Sequence, residues 1–263
     1  MIRTLPPTTQ IHPERVVNLL AEQFEPISLE EIADVSLLKR VDTKYVLSTI
    51  DLYSVLGDLQ ASYRVLSVKG VRLNRYQNLY FDTPDFMFYR EHHNGALNRY
   101  KIRCRQYLDS RLSFLEIKYK TNKQKTIKNR ILIPDMITQF HNGTDDFIRT
   151  HSPLEAYQLD PKLWNHFSRI TFVSKHHLER LTIDINLEYC RGDQRTTLSG
   201  IAIAEVKQEK FSYQSDFIQK MRHLRIRPMG FSKYCIGTAI MYPHLKQNNL
   251  KPKFLRIKKL AKG

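Results

Sequence analysis

At 263 residues the chain is long enough for one large domain or two small ones, and 41% hydrophobic with 26% charged residues suits a globular protein. Forty-two Lys and Arg stand against 26 Asp and Glu, a net charge of +16. That field draws nucleic acid, anionic lipid or phosphorylated small molecules. No apolar run reaches the ~18 residues of a membrane span. Met1 to Gln10 lacks a signal-peptide core. Cys104, Cys190 and Cys235 form neither a C-x-x-C zinc pattern nor a disulfide framework. A soluble cytoplasmic protein with buried, reduced thiols is the expectation.

The first predicted element is an amphipathic helix from Pro13 to Glu25, with Val16, Val17, Leu19, Leu20 and Phe24 at helical spacing. Ser28 to Leu38 is a second, opened by a Ser28/Glu31 capping box. Arg40 to Leu47 reads as a strand, and Ser48 or Thr49 caps a helix to about Gln60. A strand from Gln77 ends at the turn Asp82-Thr83-Pro84, where Asp82 reads as a turn residue. Asn98–Leu108 and Leu112–Lys120 form a hairpin, followed by a strand at Lys128–Ile133. Thr138 to Phe167 has helix-like patterning broken by Pro153 and Pro161, with Leu163, Trp164 and Phe167 as core. Ser168–Val173 and Leu178–Tyr189 make a second hairpin, and Ile201–Lys210 a further strand. Ser215–Leu224 and Ser232–Tyr242 are closing helices. The pairs His92-His93 and His176-His177 are expected in loops. Three regions result: an N-terminal helical segment (1–37) packing on the barrel, a main domain (38–244) and a basic C-terminal tail (245–263).

The strands segregate charge sharply. Successive strand residues face opposite ways. Arg99, Lys101, Arg103 and Arg105 therefore share one face, with Tyr100, Ile102 and Cys104 on the other. Glu116, Lys118 and Lys120 oppose Leu115, Ile117 and Tyr119. Arg180, Thr182, Asp184, Asn186 and Glu188 oppose Leu181, Ile183, Ile185 and Leu187. Glu205, Lys207 and Glu209 oppose Ala204 and Val206, and Asp42 and Lys44 alternate with Val41, Thr43 and Tyr45. An open sheet with one wet face accounts for one or two such strands. The density of charge favours an α+β fold: an antiparallel β-barrel tunnel with a charged interior, flanked by helices. Too few carboxylates oppose these cations to neutralise them, so a bound polyanion is expected. Cross-strand pairing is the plainer role for Glu116 with Lys118, and for Glu205 and Lys207 with the Arg99 strand. Asp184 reads equally as a metal ligand or as the partner holding Arg180.

The ordered set Arg40–Tyr45, Tyr80-Phe-Asp82-Thr, Arg99–Arg105, Glu116-Ile-Lys118, Arg169, Arg180–Asp184, Glu205-Val-Lys207 and Ser232-Lys233-Tyr234 resembles the VTC domain. That is the catalytic domain of the vacuolar transporter chaperone polyphosphate polymerase, within the triphosphate tunnel metalloenzymes. The likeness spans about Leu38 to Tyr242. It implies a basic tunnel barrel in which Lys44, Arg103, Arg105 and Lys118, with Ser232, grip the triphosphate of ATP. Arg169, Arg180, Lys207 and Lys233 would neutralise the transition state or guide product. Glu205 matches the family's metal ligand and Glu116 is a second candidate, for Mn²⁺ or Mg²⁺. The implied reaction passes the terminal phosphoryl group of ATP to a growing polyphosphate chain and releases ADP. Tripolyphosphate or nucleoside triphosphate hydrolysis, and polyphosphate sensing without turnover, are the alternatives. Nucleic acid is a weaker candidate, because no zinc knuckle, KH-type loop or RNP-like motif occurs. Two departures stand out. Phe167 occupies a position where the family often has Tyr, and Asp42 keeps only part of the superfamily's acidic strand pattern. The chain also lacks the family's membrane helices, so any translocation would need a membrane-protein partner.

Overall fold

Alternating apolar and polar residues build an eleven-stranded mixed sheet with helices packed outside it. The computed structural model describes residues 13–33, 41–123, 125–141 and 143–261. The chain begins with α1 (Pro13–Glu22), β1 (Glu25–Ile27) and α2 (Leu29–Ala33), then β2 (Val41–Ser48), α3 (Thr49–Leu59) and β3 (Tyr63–Leu66). β4 (Leu73–Asp82) and α4 (Met87–Asn94) lead into the meander β5 (Arg99–Tyr107), β6 (Leu112–Lys120) and β7 (Thr126–Ile133). α5 (Thr144–His151) precedes β8 (Asp160–Ser174), β9 (Glu179–Arg191), β10 (Gln194–Leu198) and β11 (Ile201–Gln208). α6 (Asp216–His223), α7 (Lys233–Met241) and α8 (Lys251–Leu260) complete it.

The main ladder runs β2-β11-β9-β8-β4-β5-β6-β7 and is antiparallel throughout. It does not close: among the described residues no pairing joins β7 to β2. This corrects the expectation of a fully closed barrel. A segment after α6 covers the free edge of β2, where the Met229 N–H donates to the Lys44 carbonyl at 2.8 Å. An edge satisfied in this way has less to gain from strand pairing. The sheet is nevertheless curled, because side chains from β2, β4, β5, β6, β7, β8, β9 and β11 line one cavity.

The apolar faces turn outward beneath the helices. α1, α3 and α6 cover Leu47, Ile170, Phe172, Leu181, Ile183 and Ala204. α4 and α7 pack with Leu79, Phe81, Ile102, Leu115 and Ile117 in a second cluster. Hydroxyl caps that the sequence exposes open α3, α6 and α7: Ser48 accepts from Asp51 N–H, Ser215 from Ile218 N–H and Ser232 from Cys235 N–H. The Ser28/Glu31 capping box forms, with bonds of 2.8 and 3.2 Å. Residues 34–38 of that predicted helix, Arg40 and Met1–Gln10 lie outside the described residues.

Several local readings change. Asp160 to Phe167 is strand, not helix, so Leu163, Trp164 and Phe167 belong to β8. His92 and His93 lie on α4 rather than in a loop. Within the basic C-terminal segment, Lys251–Leu260 is helical; α8 lies against β2 and buries Ile257. The apolar row of β9 ends at Ile185. Asn186 adopts a left-handed conformation (φ 53°) and the β8–β9 register shifts between His166 and Ser168. This bulge sends Leu187 and Tyr189 to a different cluster from Leu181, Ile183 and Ile185.

Candidate active site

The concave face encloses a cavity of about 630 Å³. Among the described residues its wall carries eleven Lys and Arg side chains: Lys44, Lys101, Arg103, Arg105, Lys118, Lys128, Arg130, Arg169, Arg180, Lys207 and Lys233. Among the described residues three carboxylates, Asp42, Glu116 and Glu205, share that lining. A vestibule of about 860 Å³ adjoins it, sharing Asp42, Lys44, Lys101, Lys118, Glu205 and Ser232 and adding His92, Arg99, Lys120 and Lys253. The β5 cations therefore divide by depth. Arg103 and Arg105 face the inner cavity, Arg99 the vestibule, and Lys101 both.

Register explains the convergence. Arg103 pairs with Tyr80 on β4 and with Glu116 on β6, while Arg105 pairs with Asn78. Arg103 Nε and Nη2 both donate to Glu116 Oε2, at 2.8 and 2.6 Å. Lys128 Nζ lies 2.6 Å from Glu116 Oε1. Burial alone would raise the Glu116 pKa, but Arg103, Arg105 and Lys128 outweigh it and hold the carboxyl well below the ordinary range. Arg105 is fixed differently, by Nε donating to Asn78 Oδ1 at 2.9 Å. Burial and then the charge of Arg103 lower its pKa.

A second anchor sits across the cavity. Asp184 accepts from Arg169 Nε and Nη2 at 2.5 and 2.8 Å, and from Lys233 Nζ. Among the described contacts Asp184 thus holds Arg169 and Lys233, whereas the sequence had suggested Arg180. Beneath these cations lies an aromatic floor. Tyr76 and Phe167 stack with centroids 5.0 Å apart. Arg169 lies 5.3 Å from both ring centroids and Lys233 4.5 Å from that of Phe167. Phe167 thus supports two cations through its ring face.

On β2 and β11, Glu205 contacts the ammonium groups of both Lys44 and Lys207, and Lys207 Nζ lies 3.9 Å from Asp42 Oδ2. Glu205 pairs across to β2, since β11 neighbours β2 and β9 rather than the Arg99 strand. The Lys44 pKa is pushed down to about 6, first by burial and then by Lys207 and Lys233. Lys118 makes no ion pair among the described residues. It is exposed to the cavity, yet its crowded surroundings and the charges of Lys101 and Arg103 bring its pKa to about 8. Ser232 Oγ accepts from Lys101 Nζ at 3.0 Å while capping α7.

Glu205 and Asp42 offer hard oxygen donors of the kind Mg²⁺ or Mn²⁺ prefers. The Lys207 ammonium lies between them, as a bound cation would. Both Glu205 oxygens are taken by ammonium groups, Oε1 by Lys44 and Oε2 by Lys207, so Glu205 would hold a divalent ion only where that ion displaced one of them. Glu116 is occupied on both oxygens by Arg103 and Lys128, and holds those two cations at the wall. Asp82 stands apart from the cavity lining. Fully buried, it accepts from the backbone N–H groups of Thr83, Phe88 and Tyr89 and from the Tyr234 hydroxyl. It caps α4 and ties it to α7, a role that short-range turn chemistry did not reveal.

The VTC-domain family profile matches residues 39–242. Solved structures share the architecture. A Hippeastrum protein assigned as an adenylyl cyclase, and described as having a dominant triphosphatase activity, superposes with a TM-score of 0.50 at 12% identity, covering 76% of this chain and 95% of its own. A Bacillus halodurans protein assigned as an adenylate cyclase gives a TM-score of 0.48 at 12% identity, covering 74% and 94%. Identities this low speak to fold alone. No curated protein matches the chain by sequence.

Proposed function

Because the chain belongs to the VTC-domain family, we propose that it is a divalent-metal-dependent polyphosphate polymerase, passing the terminal phosphoryl group of ATP to a growing polyphosphate chain and releasing ADP. The observation that carries this reading is the cavity's composition: among the described lining residues eleven Lys and Arg face three carboxylates, with Asp184 a fourth behind Arg169 and Lys233. Such an excess is costly in an empty cavity and favourable around a polyanion.

In this reading Arg103, Arg105, Lys118 and Lys44 grip the triphosphate, with Ser232 keeping Lys101 and the start of α7 in place. Arg169, Arg180, Lys207 and Lys233 face the oxygens on which charge builds as the γ-phosphoryl group moves. Glu116, Asn78 and Asp184 fix guanidinium directions before substrate arrives, so little reorganisation is needed during transfer. A divalent ion on Glu205, Mn²⁺ or Mg²⁺, would supply neutralisation of phosphate oxygens. The terminal oxygen of a polyphosphate chain is already anionic, attacks the γ-phosphorus and displaces ADP. It requires no general base, and the described lining holds no histidine.

The test is product analysis. Purified protein with ATP and Mn²⁺ is expected to make a long, acid-labile phosphate polymer together with ADP. Release of free phosphate alone would replace this reading with hydrolysis, the activity described for the Hippeastrum neighbour. Tight polyphosphate binding with no turnover would make the domain a sensor.

A further inference from the structure

The outer face of the β8–β9 hairpin carries a second constellation that the polymerase reading does not use. His166 pairs directly with Glu188, and Trp164 with Cys190. His166 lies one residue from Phe167 and points away from the cavity that Arg169 and Thr171 line. On β9, Asp184 faces the cavity, so simple alternation would turn Glu188 and Cys190 inward as well. The bulge at Asn186 reverses that alternation and brings both to the face that His166 occupies.

Three donors of different softness meet there. His166 Nδ1 is 3.3 Å from Glu188 Oε1 and 3.8 Å from Cys190 Sγ; Cys190 Sγ is 3.3 Å from Glu188 Oε1. A tetrahedral ion with bonds of about 2.0 Å to N and O and about 2.3 Å to S requires donors roughly 3.3 to 3.6 Å apart. The observed spacing meets that requirement with adjustments of a few tenths of an ångström. We propose that His166, Glu188 and Cys190 form a binding site for a zinc-class transition-metal ion, separate from the cationic cavity and with its fourth position open to solvent. Thiolate, imidazole and carboxylate together suit such an ion and not Mg²⁺. The ion would staple β8 to β9 beside the bulge.

Loading has a chemical cost that can be measured. The Cys190 thiol donates to Glu188, and burial, followed by that carboxylate, raises its pKa to about 11. Metal binding must therefore expel the thiol proton, giving Cys190 S⁻–M²⁺ and one H⁺ released to buffer. Burial lowers the His166 pKa against the pull of Glu188, which favours the neutral imidazole that ligates. Arg195 Nη1 lies 3.3 Å from Glu188 Oε1, but its side chain is exposed and free to withdraw.

Trp164, the only tryptophan, has its ring centroid 6.5 Å from that of His166 and serves as reporter. Untagged full-length protein is titrated with Co²⁺, and Zn²⁺ is then used in competition. Expected are saturable quenching of Trp164 at one ion per chain, a thiolate-to-cobalt absorption band, proton release, and displacement by Zn²⁺ but not by excess Mg²⁺. Cys190→Ser and His166→Gln should each weaken binding about tenfold or more. Arg195→Ala, which keeps all three donors, should bind at least as tightly as wild type. Absence of the thiolate band in the wild-type protein, equal affinity in Cys190→Ser, or displacement by Mg²⁺ would overturn the site. The absorption band and proton release need no variant, so the test survives a substitution that fails to fold. None of these readouts depends on the polymerase reading.

Discussion

Glu116 shows how a single buried carboxylate can hold two cations at the wall of a cavity. It is 2% exposed and neutralises Arg103 and Lys128 together. Removing one partner of such a group strands the others, which costs about 3–5 kcal/mol when burial is complete. Arg103 and Lys128 both retain access to the cavity's water, so Glu116→Gln is expected to lose less, about 1–3 kcal/mol. Tripolyphosphate should recover much of that loss, because it supplies the missing negative charge. Paired melting curves with and without the anion check this; a deficit unchanged by tripolyphosphate would mean that Glu116 matters only for packing. Lys233 adds a pH dependence. Burial, with Arg169 and Arg105, outweighs Asp184 and brings its pKa down to about 8. The folded state then binds fewer protons than the unfolded state between about pH 8 and the ordinary lysine pKa of about 10.5, so this group's contribution to stability rises with pH across that window. Anion binding has the opposite sign. It restores the ammonium, so tripolyphosphate affinity should fall as pH climbs from 7 to about 9, with proton uptake on binding near pH 8.5. Calorimetry in buffers of different ionisation enthalpy measures the uptake. Lys233→Arg, whose charge does not titrate there, should reduce it, leaving the part due to Lys44 and Lys118; an unchanged uptake would remove Lys233 from the account.

Helix α7 is the element that joins the outer core to the cavity. Its first residue, Lys233, reaches Asp184, while Tyr234 bonds to Asp82 and Gly237 sits against β8 and β9. A β-carbon at Gly237 would lie 2.3 Å from the Tyr189 ring and 2.7 Å from Leu163 Cδ2. Gly237→Ala should therefore destabilise the fold by about 1–3 kcal/mol despite the better helix propensity of Ala. It should also weaken tripolyphosphate binding by displacing Lys233. A midpoint shift in urea unfolding, paired with an anion titration, separates the two effects, and a stable variant with normal binding would mean that the helix can slide. The sequence made α7, its Ser232 cap and the charged faces of β2, β5, β6 and β11 readable, because hydroxyl caps and period-two alternation act over a few residues. It gave no sign that Asp184 would choose Arg169 and Lys233, since that choice is made by strands and a helix far apart in the chain. The N-terminal part of β8 was hidden for a related reason. Asp160 to Phe167 carries Pro161 and mixed polarity that suit a broken helix locally, and only pairing with β4 and β9 makes it a strand. The His166, Glu188 and Cys190 cluster was invisible to spacing, because its donors come from two strands and a bulge decides their common face.

The whole molecule carries its +16 charge unevenly, with much of it turned inward on the curled sheet. Crowded like charges oppose the compact state, and any ligand that binds the folded chain alone stabilises it by RT ln(1 + [L]/Kd). Tripolyphosphate at one hundred times its Kd should thus add about 2.7 kcal/mol. For a domain of this size that is a rise in melting temperature of roughly 5–10 °C. Simple salt is a useful contrast. It screens the same repulsion only weakly inside a cavity, since buried charges are shielded less than exposed ones. Chloride at matched ionic strength should therefore give a much smaller rise. The vestibule tests whether the field extends beyond a triphosphate. Arg99, Lys120 and Lys253 line only that outer chamber. A chain long enough to leave the inner cavity would meet them, whereas tripolyphosphate held within it would not. Replacing all three with Gln should then weaken binding of long polyphosphate several-fold and leave tripolyphosphate unchanged. Equal loss for both anions would show that the vestibule acts through the general field, and no loss for either would confine polyanion binding to the inner cavity.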